Sequence, residues 1–93
     1  MSRVTKEILL AELDAIAGLN KSYLTKDPTE IRYHWVEKEI ERFRTLIEDH
    51  YPLTDREKST CGFGLYAVRE LEGVEDDLAG ALIDLHEKIN KAG

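Results

Sequence analysis

The chain has 93 residues, which is one domain's worth of protein with a single modest core. Hydrophobic residues make up 42% and charged residues 34%, the balance of a globular chain rather than a disordered one. Thirteen Lys+Arg against nineteen Asp+Glu give a formal charge of −6, which repels phosphate backbones and anionic lipid. Composition therefore argues against nucleic-acid and membrane partners and favours a basic protein surface.

Behind Met1 the sequence reads Ser2-Arg3-Val4-Thr5-Lys6, with no apolar run of a secretory signal, and no stretch is long enough to span a bilayer. Cys61 is the only cysteine, so no internal disulfide can form. These features fit the cytoplasm. Within its apolar surroundings Cys61 reads as a small core residue.

The first helix is marked by Leu9, Leu13 and Ile16, widened by Leu10, Ala17 and Leu24. Thr5 suits its N-cap, and Gly18 and Asn20 loosen its far end. Asp27-Pro28-Thr29-Glu30 then supplies an N-cap, a first-turn proline and a capping-box glutamate for a second helix. Its stripe runs through Val36, Ile40, Phe43 and Ile47 until Pro52 stops it.

Thr54-Asp55-Arg56-Glu57 repeats the capping-box pattern and starts a third helix. Its apolar residues, from Cys61 and Phe63 to Val68 and Leu71, surround much of the axis, which predicts a central position. Gly62, Gly64 and Ala67 allow close backbone approach. Gly73 stops this helix, and Asp76 or Asp77 caps a fourth, carrying Leu78, Leu82, Leu85 and Ile89. No segment alternates with period two. The prediction is an all-α, compact bundle of four helices, mostly antiparallel, filling residues 1–93 as one domain.

No arrangement of polar residues asks for catalysis. Glu37, Glu41 and Glu48 interleave with Lys38, Arg42 and Arg44 as a charge-paired helix surface. His34, His50 and His86 are scattered, without a zinc-ligand spacing. Ser59-Thr60-Cys61 has no recognisable base, and Gly62-Phe63-Gly64 is an incomplete glycine-rich pattern outside a strand–helix context. The expectation is a protein that is not an enzyme, with no catalytic, cofactor-binding or metal-binding residues.

Two features point to binding instead. Glu70, Glu72, Glu75, Asp76 and Asp77 crowd into eight positions, offset only by Arg69. This acidic corner is either the solvated elbow between two helices or a surface shaped for a basic partner. Trp35 lies about a quarter turn from the second helix's apolar centre. There it either closes the bundle's edge or stands as an aromatic anchor, and Tyr33 and Tyr66 raise the same question.

The stretch Phe63-Gly64-Leu65-Tyr66-Ala67-Val68-Arg69-Glu70-Leu71-Glu72, followed by Asp77-Leu78-Ala79 and Ala81-Leu82-Ile83-Asp84, resembles a family of small immunity proteins. These are all-helical partners of bacterial type VI secretion effectors that hydrolyse NAD(P). The likeness is strongest over residues 60–85 and weaker through the second helix. It implies a partner, a cognate toxin domain with a basic substrate cleft, whose active site is blocked by occlusion. In that reading Glu70, Glu72, Glu75, Asp76 and Asp77 face the cleft, with Trp35 or Tyr33 as aromatic anchors, and self-association into a homo-oligomer stays open. The alternative is a non-catalytic helical adaptor or structural subunit of a larger assembly.

Overall fold

The computed structural model describes residues 4–71 and 73–92. Glu72, one of the five acidic-corner residues, lies outside the described residues. The protein is an all-α bundle of four helices, the third of which is broken. Helix α1 spans Lys6–Lys26, α2 Ile31–His50, α3 Asp55–Ser59, α4 Phe63–Tyr66 with a widened continuation through Ala67–Leu71, and α5 Asp76–Lys91.

The predicted stripes form the core. Leu9 and Leu13, Val36, Phe43 and Ile47, and Leu78, Leu82, Leu85 and Ile89 are fully buried together with Phe63, Ala67 and Leu71. Each large side chain sealed from water in this way contributes roughly 1.5–3 kcal/mol. Cross-helix contacts fix the directions. Asn20 meets Tyr33 while Lys6 meets Glu48, so α1 and α2 run antiparallel. Tyr23 meets Asp77 while Glu12 pairs with Lys88, which sets α5 antiparallel to α1.

Local signals succeed at two caps. Thr5 accepts a hydrogen bond from the Ile8 amide. Thr54 and Glu57 form a reciprocal capping box, with bonds of 3.1 and 2.9 Å.

They fail at the first turn. Asp27 does not cap α2; its N–H donates to the Tyr23 carbonyl and closes α1, which runs past Gly18 and Asn20 to Lys26. Helix α2 begins three residues after Pro28, with Glu30 at the cap and no side-chain cap bond. The reason is tertiary. Asn20 is buried and donates from Nδ2 to the Tyr33 carbonyl at 2.9 Å, so the end of α1 is held against α2 rather than frayed.

The third helix is also interrupted. The chain leaves helical geometry at Thr60, turns Cys61 inward and resumes after Gly62. Only one face of α4 is buried, while Leu65 and Val68 are exposed, so this segment is not central on all sides. The buried residues Phe63, Ala67 and Leu71 are four apart, a spacing that an α-helix rotates by about 40° per step. The wider π turn over Ala67–Leu71 counters that drift and keeps all three facing inward.

A third difference lies at the head of α5. Glu75 occupies the cap position without a side-chain cap bond. Asp76 instead accepts from the Gly73 amide at 2.6 Å, across the turn where Gly73 adopts φ +86°. No helix among the described residues is long and apolar enough to cross a membrane.

Candidate protein-docking face

Helix α2 carries Trp35 on the flank of its buried stripe, over the gap where the third helix is broken. Gly62 sits beneath the indole, and a methyl group there would meet the ring at 3.6 Å. Trp35 stacks on Tyr66 with centroids 3.8 Å apart and planes 9° from parallel, and it meets Phe63 edge-on at 6.2 Å. Phe63 in turn packs on the buried Phe43 at 5.4 Å. The aromatic chain therefore runs from the centre of the core to the surface. Its outer members are anchored by its inner ones.

Around the outer pair the surface is apolar. Ile31 is 77% exposed and Leu65 61% exposed. Two open hollows share Trp35 as a common wall. One, about 340 Å³, is lined by Gly62, Leu65, Tyr66, Arg69 and Glu70 as well. The other, about 360 Å³, is completed by Ile31, His34 and Lys38. Burial pushes the Tyr66 hydroxyl above the ordinary tyrosine range. Rigid stacked aromatics lose little conformational freedom on binding, which makes this pair a ready anchor between two receptive hollows.

The acidic corner is built differently. Tyr23 and Tyr33 stack at 5.4 Å, and each donates its hydroxyl to a carboxylate at the head of α5. Tyr33 reaches Glu75 Oε1 at 2.8 Å, and Tyr23 reaches Asp77 Oδ1 at 2.5 Å. Asp77 also accepts from the Leu78 amide, and the Tyr23 hydroxyl with that amide holds its carboxyl below the usual range. Conversely, the hydrogen bond to Asp77 pushes Tyr23 up to about 12, and burial followed by the bond to Glu75 does the same for Tyr33.

The structure thus brings Tyr33, Glu75 and Asp77 together with Tyr23 as a joint between helices, with Tyr33 only 5% exposed, while Asp76 is exposed and bonds only to the Gly73 amide of its own turn. Glu70 stands apart from that joint. Its carbonyl accepts from Arg32 at 3.0 Å, and its side chain lines the first hollow beside Arg69. Trp35 belongs to this second location, not to the joint. Ile31 and Leu65 were not singled out by sequence reading. One signal was available: once Phe63, Ala67 and Leu71 are taken as a stripe, Leu65 falls off it. Nothing in the sequence links Trp35 to Tyr66.

Among the described residues no group of three or more His, Cys, Asp or Glu side chains converges in a way that could hold a metal ion. Cys61 is buried, its thiol pushed up by desolvation, with Sγ 3.3 Å from His86 Nδ1. The Gly64 amide donates to the same nitrogen at 3.2 Å, so the ring is used as an acceptor that ties α4 to α5. Comparison with family models, with curated proteins and with solved structures returned no match.

Proposed function

We propose that this protein is a cytoplasmic immunity protein that binds a cognate toxin domain and blocks its active site by occlusion. The observation that carries a binding role is the stacked Trp35–Tyr66 pair, flanked by exposed Ile31 and Leu65 and rooted in the core through Phe63. Aromatic anchors with apolar neighbours concentrate interface energy. A protein of this size meets a partner through about 800 Å² of its own surface.

The acidic balance of the chain supports the choice of a basic partner. Carboxylates on the surface, Glu70 and Asp76 among them, would speed encounter with a positively charged substrate cleft. The aromatic face would set how long the complex lasts. That the toxin hydrolyses NAD(P) rests on the resemblance over residues 60–85 alone.

The test takes the candidate toxin domain of any large effector-like gene found beside this protein's own, produced in a sensitive host with and without this protein. The expected result is a fall in cellular NAD(P) and arrested growth, both restored by co-expression. Restored growth without any change in NAD(P) would keep the immunity role and replace the toxin chemistry. Failure of well-expressed protein to rescue would favour the adaptor reading.

A further inference from the structure

The two hollows beside Trp35 differ in charge, and the difference specifies an occupant. Leu65, 61% exposed, lines the hollow that also holds Arg69 and Glu70. Ile31, 77% exposed, lines the hollow that also holds Lys38. Trp35 is a wall of both. Across the indole the face therefore carries an exposed aliphatic, a hollow and a carboxylate on one side. On the other it carries an exposed aliphatic, a hollow and a cation.

Such a face complements itself. A second copy, turned by half a turn about an axis near Trp35, sets each hollow against the opposite one. Leu65 then enters the Ile31 hollow of the copy while Ile31 enters the Leu65 hollow, the reciprocity that a twofold contact requires. The same half turn brings Glu70 towards Lys38 of the copy, and does so twice. Both residues are exposed, and among the described residues neither is in an ion pair.

Charge favours this orientation of approach over others. The whole chain carries −6, so two copies repel each other over most of their surface. Among the residues lining the two hollows the cations Lys38 and Arg69 outnumber the one carboxylate, Glu70. Here two acidic chains can meet without bringing negative charge together. Aliphatic side chains exposed beside a stacked aromatic pair also mark surfaces that a protein covers with another protein.

We propose that the free protein pairs with a second copy of itself through this face, with Leu65 and Ile31 seated in each other's hollows and Glu70 facing Lys38 across a twofold axis. The pairing does not depend on the function proposed above. Its consequence does: toxin domain and second copy compete for Trp35, so the docking face stays covered until toxin arrives. The contact is small and works against the net charge, which sets its dissociation constant on the order of 0.1 mM. In a dilute denaturation experiment the chain is a monomer.

The test is sedimentation equilibrium of the purified chain between about 5 µM and about 1 mM, beside its tryptophan emission. Trp35 is the only tryptophan, so that emission reports this face. The mass should rise from 10.7 kDa towards twice that value while the emission moves to shorter wavelength. Leu65→Glu should hold the protein at the monomer mass. Lys38→Glu and Glu70→Lys should each weaken pairing at least about tenfold, because like charges then face each other twice. Glu70→Lys lowers the negative charge of the chain, so weakening there is not general repulsion. The two substitutions together restore opposite signs and should restore the pairing.

A monomer mass at every concentration, or a dimer whose Trp35 emission does not move, would overturn the pairing. So would a double variant that pairs no better than either single one. Added toxin domain should convert the dimer to a one-to-one complex, and toxin bound to an intact dimer would overturn the competition. A dimer that binds no toxin would uphold the pairing and sink the immunity reading. Toxin bound by a chain that never pairs would do the reverse.

Discussion

Tyr33 on α2 donates its hydroxyl to Glu75 at the head of α5, and this 2.8 Å bond makes the acidic corner a joint of the fold as well as a surface. Tyr23 and Asp77 make the parallel connection from α1 at 2.5 Å. Both tyrosines are raised to about 12, so they hold their protons in the folded protein across a range where an unfolded tyrosine, near 10, has lost them. A group with a raised folded pKa contributes stability that is full below its unfolded pKa and is lost as pH rises through the folded value. Stability should therefore decline between pH about 10 and about 12. Absorbance of ionised tyrosine at 295 nm should show Tyr23 and Tyr33 titrating late in that window, with Tyr66 also above the ordinary tyrosine range. Asp77→Asn should bring Tyr23 back towards ordinary titration, and unchanged titration in that variant would remove the Asp77 bond as the cause.

The same joint makes a mutational prediction. Tyr33→Phe leaves Glu75 Oε1 without its donor, beside an Oε2 already buried and unpaired among the described residues. Loss of about 1–3 kcal/mol is expected by chemical denaturation. Combining it with Glu75→Leu should recover part of the loss, because no acceptor is then stranded. Additive losses in the double variant would show that the bond contributes nothing.

Gly64 predicts a loss of stability where helix propensity predicts a gain. Replacing a helical glycine with alanine ordinarily stabilises by about 1 kcal/mol. Here the added methyl would meet the His86 ring at 3.0 to 3.3 Å. The ring cannot retreat freely, since its Nδ1 accepts from the Gly64 amide and lies 3.3 Å from Cys61 Sγ. Gly64→Ala should therefore destabilise by about 1–3 kcal/mol, as overpacked sites do. His86→Ala added to it should relieve the clash, and a thermal melt of the pair decides the matter. A stabilised single variant would mean that the ring yields.

How much of this was legible follows from which interactions are local. Thr5, Thr54 and Glu57 act on amides within three residues, so their caps could be read directly. The stripes of α2 and α5 are periodic and needed no knowledge of neighbours. Asp27 misled because Asp-Pro suits either a helix start or a turn, and the choice was made by Asn20 bonding across to Tyr33. The break at Thr60–Gly62 and the π turn at Ala67–Leu71 depend on fitting α4 against α5, which no window of sequence contains. The candidate face joins Trp35 to Tyr66 across two helices, so each residue could be suspected but their pairing could not.

Two other glycines separate backbone geometry from space. Gly18 sits inside α1 with nothing near a prospective methyl group, so Gly18→Ala should stabilise by about 1 kcal/mol. Gly73 is equally open but adopts φ +86°, a conformation costing an L-residue roughly 1–2 kcal/mol. Gly73→Ala should therefore destabilise by that amount, opposite in sign although neither site is crowded. Urea midpoints for the two variants test both; a shift in the same direction for both would contradict the turn geometry.

The docking face is tested most cleanly at its exposed rim. Ile31 and Leu65 are 77% and 61% exposed, so Ile31→Glu and Leu65→Glu should change stability by no more than about 0.5 kcal/mol. On a partner's surface each would place a charge against apolar contact, and at least a tenfold loss of affinity is expected for the toxin domain proposed as partner, about 1.4 kcal/mol. Trp35→Ala should lose affinity as well, but it also strips the cover from Phe63 and so should cost the fold on the order of 2 kcal/mol. Calorimetric titration of the toxin domain against the three variants, beside their denaturation curves, separates the two effects. Full affinity in both rim variants would move the interface off the Trp35–Tyr66 stack. Affinity lost at the rim with stability unchanged would fix the aromatic pair as the anchor and leave the Tyr33–Glu75 joint to the fold.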